Sequence, residues 1–215
     1  MNADAARIFE ELFVRHPALD ACRADVAAAF DLLLGSFRNG GKLLVCGNGG
    51  SAADAEHIVG ELMKSFKRRR AVPAHVAEAL EAQGGEGSVL LEKLEGALPA
   101  VSLVSMSGVI TAFANDVAWE TAYAQQVLGL ARNGDVLLAI STSGNSANCV
   151  AAARVAHAVG ARAVAFTGGR ESALSSVCDV AVRVPETETF KVQELHLPLY
   201  HALCAMLEAE MFQGA

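Results

Sequence analysis

Lys42-Leu43-Leu44-Val45-Cys46-Gly47-Asn48-Gly49-Gly50-Ser51 is the stretch that decides the fold. Five residues with a nearly unbroken apolar face run into a glycine-rich turn, the pattern of a strand buried on both faces of a parallel sheet. Similar runs recur at Asp135 to Ile140, Arg162 to Phe166 and Asp179 to Val184, with a weaker one at Pro99 to Val104. Helix-length segments separate most of them: Ser51 to Phe66, Trp119 to Leu128, Ser146 to Val159, and a last one from Thr189 to Phe212. Strands alternating with crossover helices predict an α/β fold, a three-layer α-β-α sandwich around a five-stranded parallel sheet. Before the first strand, Ile8, Leu12, Phe13, Val26, Phe30, Leu33, Leu34 and Phe37 recur at helical spacing until Gly40-Gly41, so two helices open the chain over residues 1–40. Residues 78–98 read as an insertion, a glycine-rich loop at Gly84-Gly85-Glu86-Gly87 followed by one short amphipathic helix.

The chain has 215 residues, 53% of them hydrophobic and 19% charged, enough for one core over residues 1–215 and too apolar for global disorder. No apolar run is long enough to span a membrane, and Met1 to Arg15 mixes charged and apolar residues rather than forming an export signal. The five cysteines contain no C-x-x-C pair, which fits a reducing compartment and neither a disulfide framework nor a thiolate metal site. A net charge of −7 opposes a dedicated nucleic-acid binder. The basic run Lys67-Arg68-Arg69-Arg70 is expected to be a solvated helix end.

Two loops have the chemistry of phosphate sites. Gly47 to Ser51 joins a strand to a helix start, where free N–H groups and the helix dipole attract an anion. Its Gly47-x-Gly49-x-x-Ala52 spacing also matches a dinucleotide fingerprint, but the acidic ribose partner is missing, and only an NADP site using the Lys67 to Arg70 run would keep that reading alive. Ser141-Thr142-Ser143-Gly144-Asn145-Ser146 is a second strand-to-helix turn with four hydroxyls; taken alone, it is an N-cap at Ser146 with a polar turn. Strands of an open parallel sheet end on one edge, so both loops can meet a single ligand.

His57 and Glu61 lie four residues apart and share a helix face. On the final helix Gln193 and His201 fall on one stripe, with His196 as a competitor that spacing does not eliminate, and Pro198 is expected to kink that helix. His16, His75 and His157 have no second ligand nearby in sequence and read as structural or solvated.

Gly47-Asn48-Gly49-Gly50-Ser51-Ala52-Ala53-Asp54-Ala55-Glu56-His57, Ser141 to Ser146 and Val192-Gln193-Glu194-Leu195-His196 together closely resemble the phosphoheptose isomerases of the sugar isomerase (SIS) domain superfamily. The resemblance implies a flavodoxin-like fold, a cytoplasmic homotetramer with active sites between subunits, and conversion of sedoheptulose 7-phosphate to D-glycero-D-manno-heptose 7-phosphate for lipopolysaccharide or capsule. By motif it implies zinc (Zn2+) held by His57, Glu61, Gln193 and His201, with Glu61 and His201 as the acid–base pair. Asn48, Gly49, Gly50, Glu61, Asn115, Asp116 and Gln193 would contact sugar, and Ser51, Ser141, Thr142, Ser143 and Ser146 the phosphate. Phe190 and the insertion depart from the family pattern at the rim of such a site. Rival readings from the same superfamily are a noncatalytic sugar-phosphate regulator, a replication-initiator adaptor, and an isomerase or lyase for another phosphosugar.

Overall fold

The computed structural model describes residues 1–212; residues 213–215, the end of the expected domain, lie outside the described residues. Helices α1 (Ala3–Arg15) and α2 (Arg23–Arg38) come first, joined by a 3-10 turn at Pro17–Cys22. Strand β1 (Leu43–Gly47) is buried throughout and leads into α3 (Gly50–Met63). Next come α4 (Ala74–Glu81), α5 (Gly85–Lys93), β2 (Ala100–Ser102), α6 (Ser107–Asp116) and α7 (Ala122–Leu130). The chain closes with β3 (Val136–Ile140), α8 (Ala147–Ala158), β4 (Arg162–Gly168), α9 (Ala173–Val177), β5 (Val180–Val184) and α10 (Thr189–Met211).

All five strands are parallel, in the order β2-β1-β3-β4-β5. That is the flavodoxin-like order, whose direction of winding reverses between β1 and β3 and opens a crevice at their C-terminal ends. Side chains alternate across each strand and so feed two different layers. Leu43, Val45, Val136, Leu138, Ile140, Val164 and Phe166 pack under α1, α2, α3 and α10. Leu44, Cys46, Leu137, Ala139, Ala163 and Ala165 face α7, α8 and α9 through small alanines and Tyr123. Among the described residues no helix is long and apolar enough to cross a membrane.

Three local expectations change. The insertion holds two helices, α4 and α5, rather than a loop and one helix: Gly84 takes the left-handed turn at φ +80°, and Gly87 packs where a Cβ would overlap the Leu80 carbonyl. Helix α3 stops at Met63, not Phe66, so the basic run lies beyond the helix end, with Lys67 and Arg69 exposed and Arg70 buried. Arg70 is fully buried, its guanidinium donating to the Leu62 and Glu61 carbonyls at 2.6 and 2.8 Å and to Glu208 Oε1 at 2.8 Å. The same carboxylate accepts the Phe66 and Lys67 backbone N–H groups at 2.9 Å each. This closed network satisfies the C-terminal carbonyls of α3 and ties that helix to α10. Helix α10 runs on through Pro198 as one element.

Candidate active site

The two loops sit side by side because β1 and β3 are neighbours in register, Gly47 opposite Ile140. Gly49 takes φ +58° as the residue before α3, and Gly47 lies so close to the first helical turn that a Cβ there would stand 2.5 Å from the Ser51 carbonyl oxygen. Tyr123 donates its hydroxyl proton to the Gly47 carbonyl at 2.7 Å, fixing the turn from the far layer. Asn48 and the buried Asn148 exchange two amide hydrogen bonds of 2.9 Å, which bolt the first loop to the start of α8.

In the second loop the Ser146 side chain does not cap α8. Its hydroxyl pairs with that of Ser141 at 2.9 Å. The N-terminal donors of α8 are therefore not consumed by the expected side-chain cap, and the hydroxyls stand together beside them. A cavity of about 150 Å³ adjoins this loop, lined by Thr142, Ser143, Asn145, Gly168, Arg170 and Thr187 among others. Ser51 is buried at the base of the first loop.

His57 and Glu61 project together from α3, Nε2 to Oε1 3.2 Å apart. The ring of His201 meets that of His57 edge-on, with centroids 4.9 Å apart. Burial first, and His57 second, hold the His201 imidazole below its ordinary value, with Glu61 opposing them, so the neutral ring is favoured near neutrality. Its Nε2 is buried and has no hydrogen-bond partner among the described residues. His196 points elsewhere: it is fully buried, against Phe166 and the Thr167 carbonyl under the sheet, which separates the two candidates that spacing left open. Gln193 packs its amide against Gly50, at a point where any Cβ on Gly50 would overlap Nε2. The final helix thus sends one side chain to the first loop and another to the His57–Glu61 pair.

Asn115 and Asp116 lie exposed at the end of α6, their side chains bonded to each other at 2.8 Å. Among the described residues no hydrogen bond joins them to either loop. Nor does any group of three or more His, Cys, Asp or Glu side chains among them stand ready to hold a metal ion. The donor types nevertheless suit one: His57 pairs with Glu61 and stacks edge-on with His201, whose buried Nε2 has no hydrogen-bond partner among the described residues. Of the Lys67 to Arg70 run that an NADP 2′-phosphate would use, Arg70 is taken up by Glu208.

Two SIS domain family models match the chain, one over residues 14–102 and the other over residues 107–209. A phosphoheptose isomerase of Burkholderia pseudomallei (strain 1710b) is 37% identical over 210 residues, covering 98% of this chain and 92% of that protein. The chain belongs to the phosphoheptose isomerase family. Another relative of that name, from Roseiflexus sp. (strain RS-1), is 36% identical over 188 residues, covering 87% of this chain and 83% of the relative. The solved structure of a Neisseria gonorrhoeae phosphoheptose isomerase superposes with a TM-score of 0.72 at 32% identity, covering 95% of this chain and 96% of that one. Membership in the phosphoheptose isomerase family makes the chain an aldose–ketose isomerase.

Several residues that organise this phosphoheptose isomerase-type site escape a reading by motif. Asn148 stands inside a helix as an ordinary polar residue, and only the tertiary fold reveals its pairing with Asn48. Tyr200 touches His57 at 2.9 Å and Asp54 at 3.4 Å, and no motif marks it. Burial raises the Asp54 carboxyl above its ordinary value, and Tyr200 and His57 pull it back.

Proposed function

We propose that the chain interconverts sedoheptulose 7-phosphate and D-glycero-D-manno-heptose 7-phosphate. What supports this reading is the meeting of α3 and α10, which pairs His57 with Glu61, sets His201 against His57, and brings Gln193 to Gly50 in the first of two adjacent glycine- and serine-rich loops. Ser51, Ser141, Thr142, Ser143 and Ser146 bind the phosphate with the N-termini of α3 and α8, and Asn48, Gly49, Gly50, Asn115, Asp116 and Gln193 bind the sugar.

The reaction moves one proton from C1 to C2 and another from O1 to O2. Glu61 takes the C1 proton, electrons move into the C1–C2 bond, and O2 is protonated to give an enediol. Glu61 then returns its proton to C2 as O1 loses its own and C1 becomes the aldehyde. His201, held neutral, accepts and donates the oxygen protons, and one carboxylate on one face suffices for both carbons. His57, Glu61, Gln193 and His201 are the residues that would hold zinc, which when bound polarises the sugar oxygens. The buried, unpartnered Nε2 of His201 supports that assignment.

The chain acts as one SIS domain in the cytoplasm, as a homotetramer with its sites between subunits. Support comes from the open side of the site: a groove of about 450 Å³ between α1 and α10, with His201, Ile8, Leu12 and Leu197 in its lining, leaves room for a neighbouring protomer. Purified protein incubated with sedoheptulose 7-phosphate, with and without chelator, should form the aldoheptose, and the chelator should suppress it. Phosphosugar bound without turnover would instead favour a noncatalytic regulator.

A further inference from the structure

Tyr200 precedes His201 on α10 and, almost fully buried, reaches across to α3. Its hydroxyl oxygen stands 2.9 Å from His57 Nδ1 and 3.4 Å from Asp54 Oδ1. Asp54 lies one turn before His57 on the same helix, and its Oδ2 is buried with no partner among the described residues. A phenol has a single proton to give, so two arrangements compete. In one, Tyr200 donates to Asp54 and accepts from Nδ1–H of His57. In the other it donates to Nδ1, and the Asp54 side chain keeps no hydrogen bond at all.

With a cation on Nε2 the first arrangement wins, because the neutral ring then carries its proton on Nδ1, and Tyr200, accepting it, has its own proton free for Asp54; without the cation, the second keeps Nε2–H donating to Glu61 at 3.2 Å. A neutral imidazole with its proton on Nδ1 carries its lone pair on Nε2. That nitrogen faces Glu61 Oε1 at 3.2 Å, so an acceptor confronts an acceptor, an arrangement that a cation between them relieves.

We propose that Tyr200, backed by Asp54, is a positioning residue that fixes the tautomer of His57 and so presents Nε2 as a metal-ligating lone pair beside Glu61. The proposal rests on the reading of His57 as a zinc ligand. Outer-shell partners of ligating histidines act in this way, holding the ring by its other nitrogen.

The test compares metal-free wild-type protein with Tyr200→Phe, each titrated with zinc against a chromophoric chelator. The variant should bind zinc about 10- to 100-fold more weakly. In zinc-loaded wild-type protein, proton–nitrogen correlation spectra should show the His57 Nδ1–H slowly exchanging and Nε2 on the metal; in the variant the Nδ1–H should exchange rapidly. Equal affinities within twofold, with zinc bound tightly to both, would overturn the relay alone and leave the zinc reading standing. Wild-type protein that takes up no zinc would overturn the zinc reading and the relay with it. Should Tyr200→Phe fail to fold, the wild-type spectrum decides: zinc on Nδ1 of His57 contradicts the proposal.

Discussion

Replacing Gly47 by alanine probes the first loop most sharply. A Cβ at this position would lie 2.5 Å from the Ser51 carbonyl oxygen, 2.7 Å from its carbon and 2.9 Å from its Cβ. Ordinary contact begins at 3.4 Å, so the first turn of α3 must retreat by about 0.9 Å. Backbone cannot swing aside as the end of a long side chain can, and overpacking of this kind costs about 1–3 kcal/mol. For a chain of this length each kcal/mol lowers the melting temperature by about 2–4 °C, giving an expected loss of about 2–12 °C. Ser51 moves with the turn, and losing one hydrogen bond to a charged phosphate, about 1.5 kcal/mol or more, weakens phosphosugar binding about tenfold. Differential scanning calorimetry and titration calorimetry read the two effects separately. A Gly47→Ala variant that melts and binds like the wild type would refute the packing argument.

Gly50→Ala should behave differently, because the obstacle is the flexible end of Gln193 rather than backbone: stability should change by less than about 1 kcal/mol, while turnover falls at least about tenfold as Gln193 is pushed off the loop. Burial holds the His196 imidazole down to about 4 against an ordinary 6.5. The unfolded chain therefore takes up this proton as pH falls through 6.5, whereas the folded one resists until about 4; stability is full above 6.5 and erodes by about 3 kcal/mol between 6.5 and 4. Denaturant melts at stepped pH should show that slope, and His196→Leu should flatten it.

The sheet and its crossover helices were legible because buried parallel strands such as Leu43 to Cys46 and Val136 to Ile140 write themselves as short apolar runs ending in turn residues. Adjacency of the two loops followed from the shared edge of such a sheet, and the structure supplies the Asn48–Asn148 pair that holds them together. Less was legible where tertiary packing overrides local pattern. Helix α6 went unread because Ser107 to Asp116 has no buried stripe; all its residues are exposed or half-buried. Arg70 read as solvent-facing, since a charge run carries no sign of a glutamate 138 residues away waiting to pair with it. Spacing could not separate His196 from His201, which lie on different faces of α10, because either face could have met α3 until the packing of that helix against the sheet was known.

The central claim is that Glu61 carries the proton between C1 and C2. Glu61→Gln tests it most directly, with sedoheptulose 7-phosphate turnover and binding measured on the same preparation. The account predicts that aldoheptose formation vanishes while the phosphosugar still binds through the two loops. Turnover at the wild-type rate would contradict it.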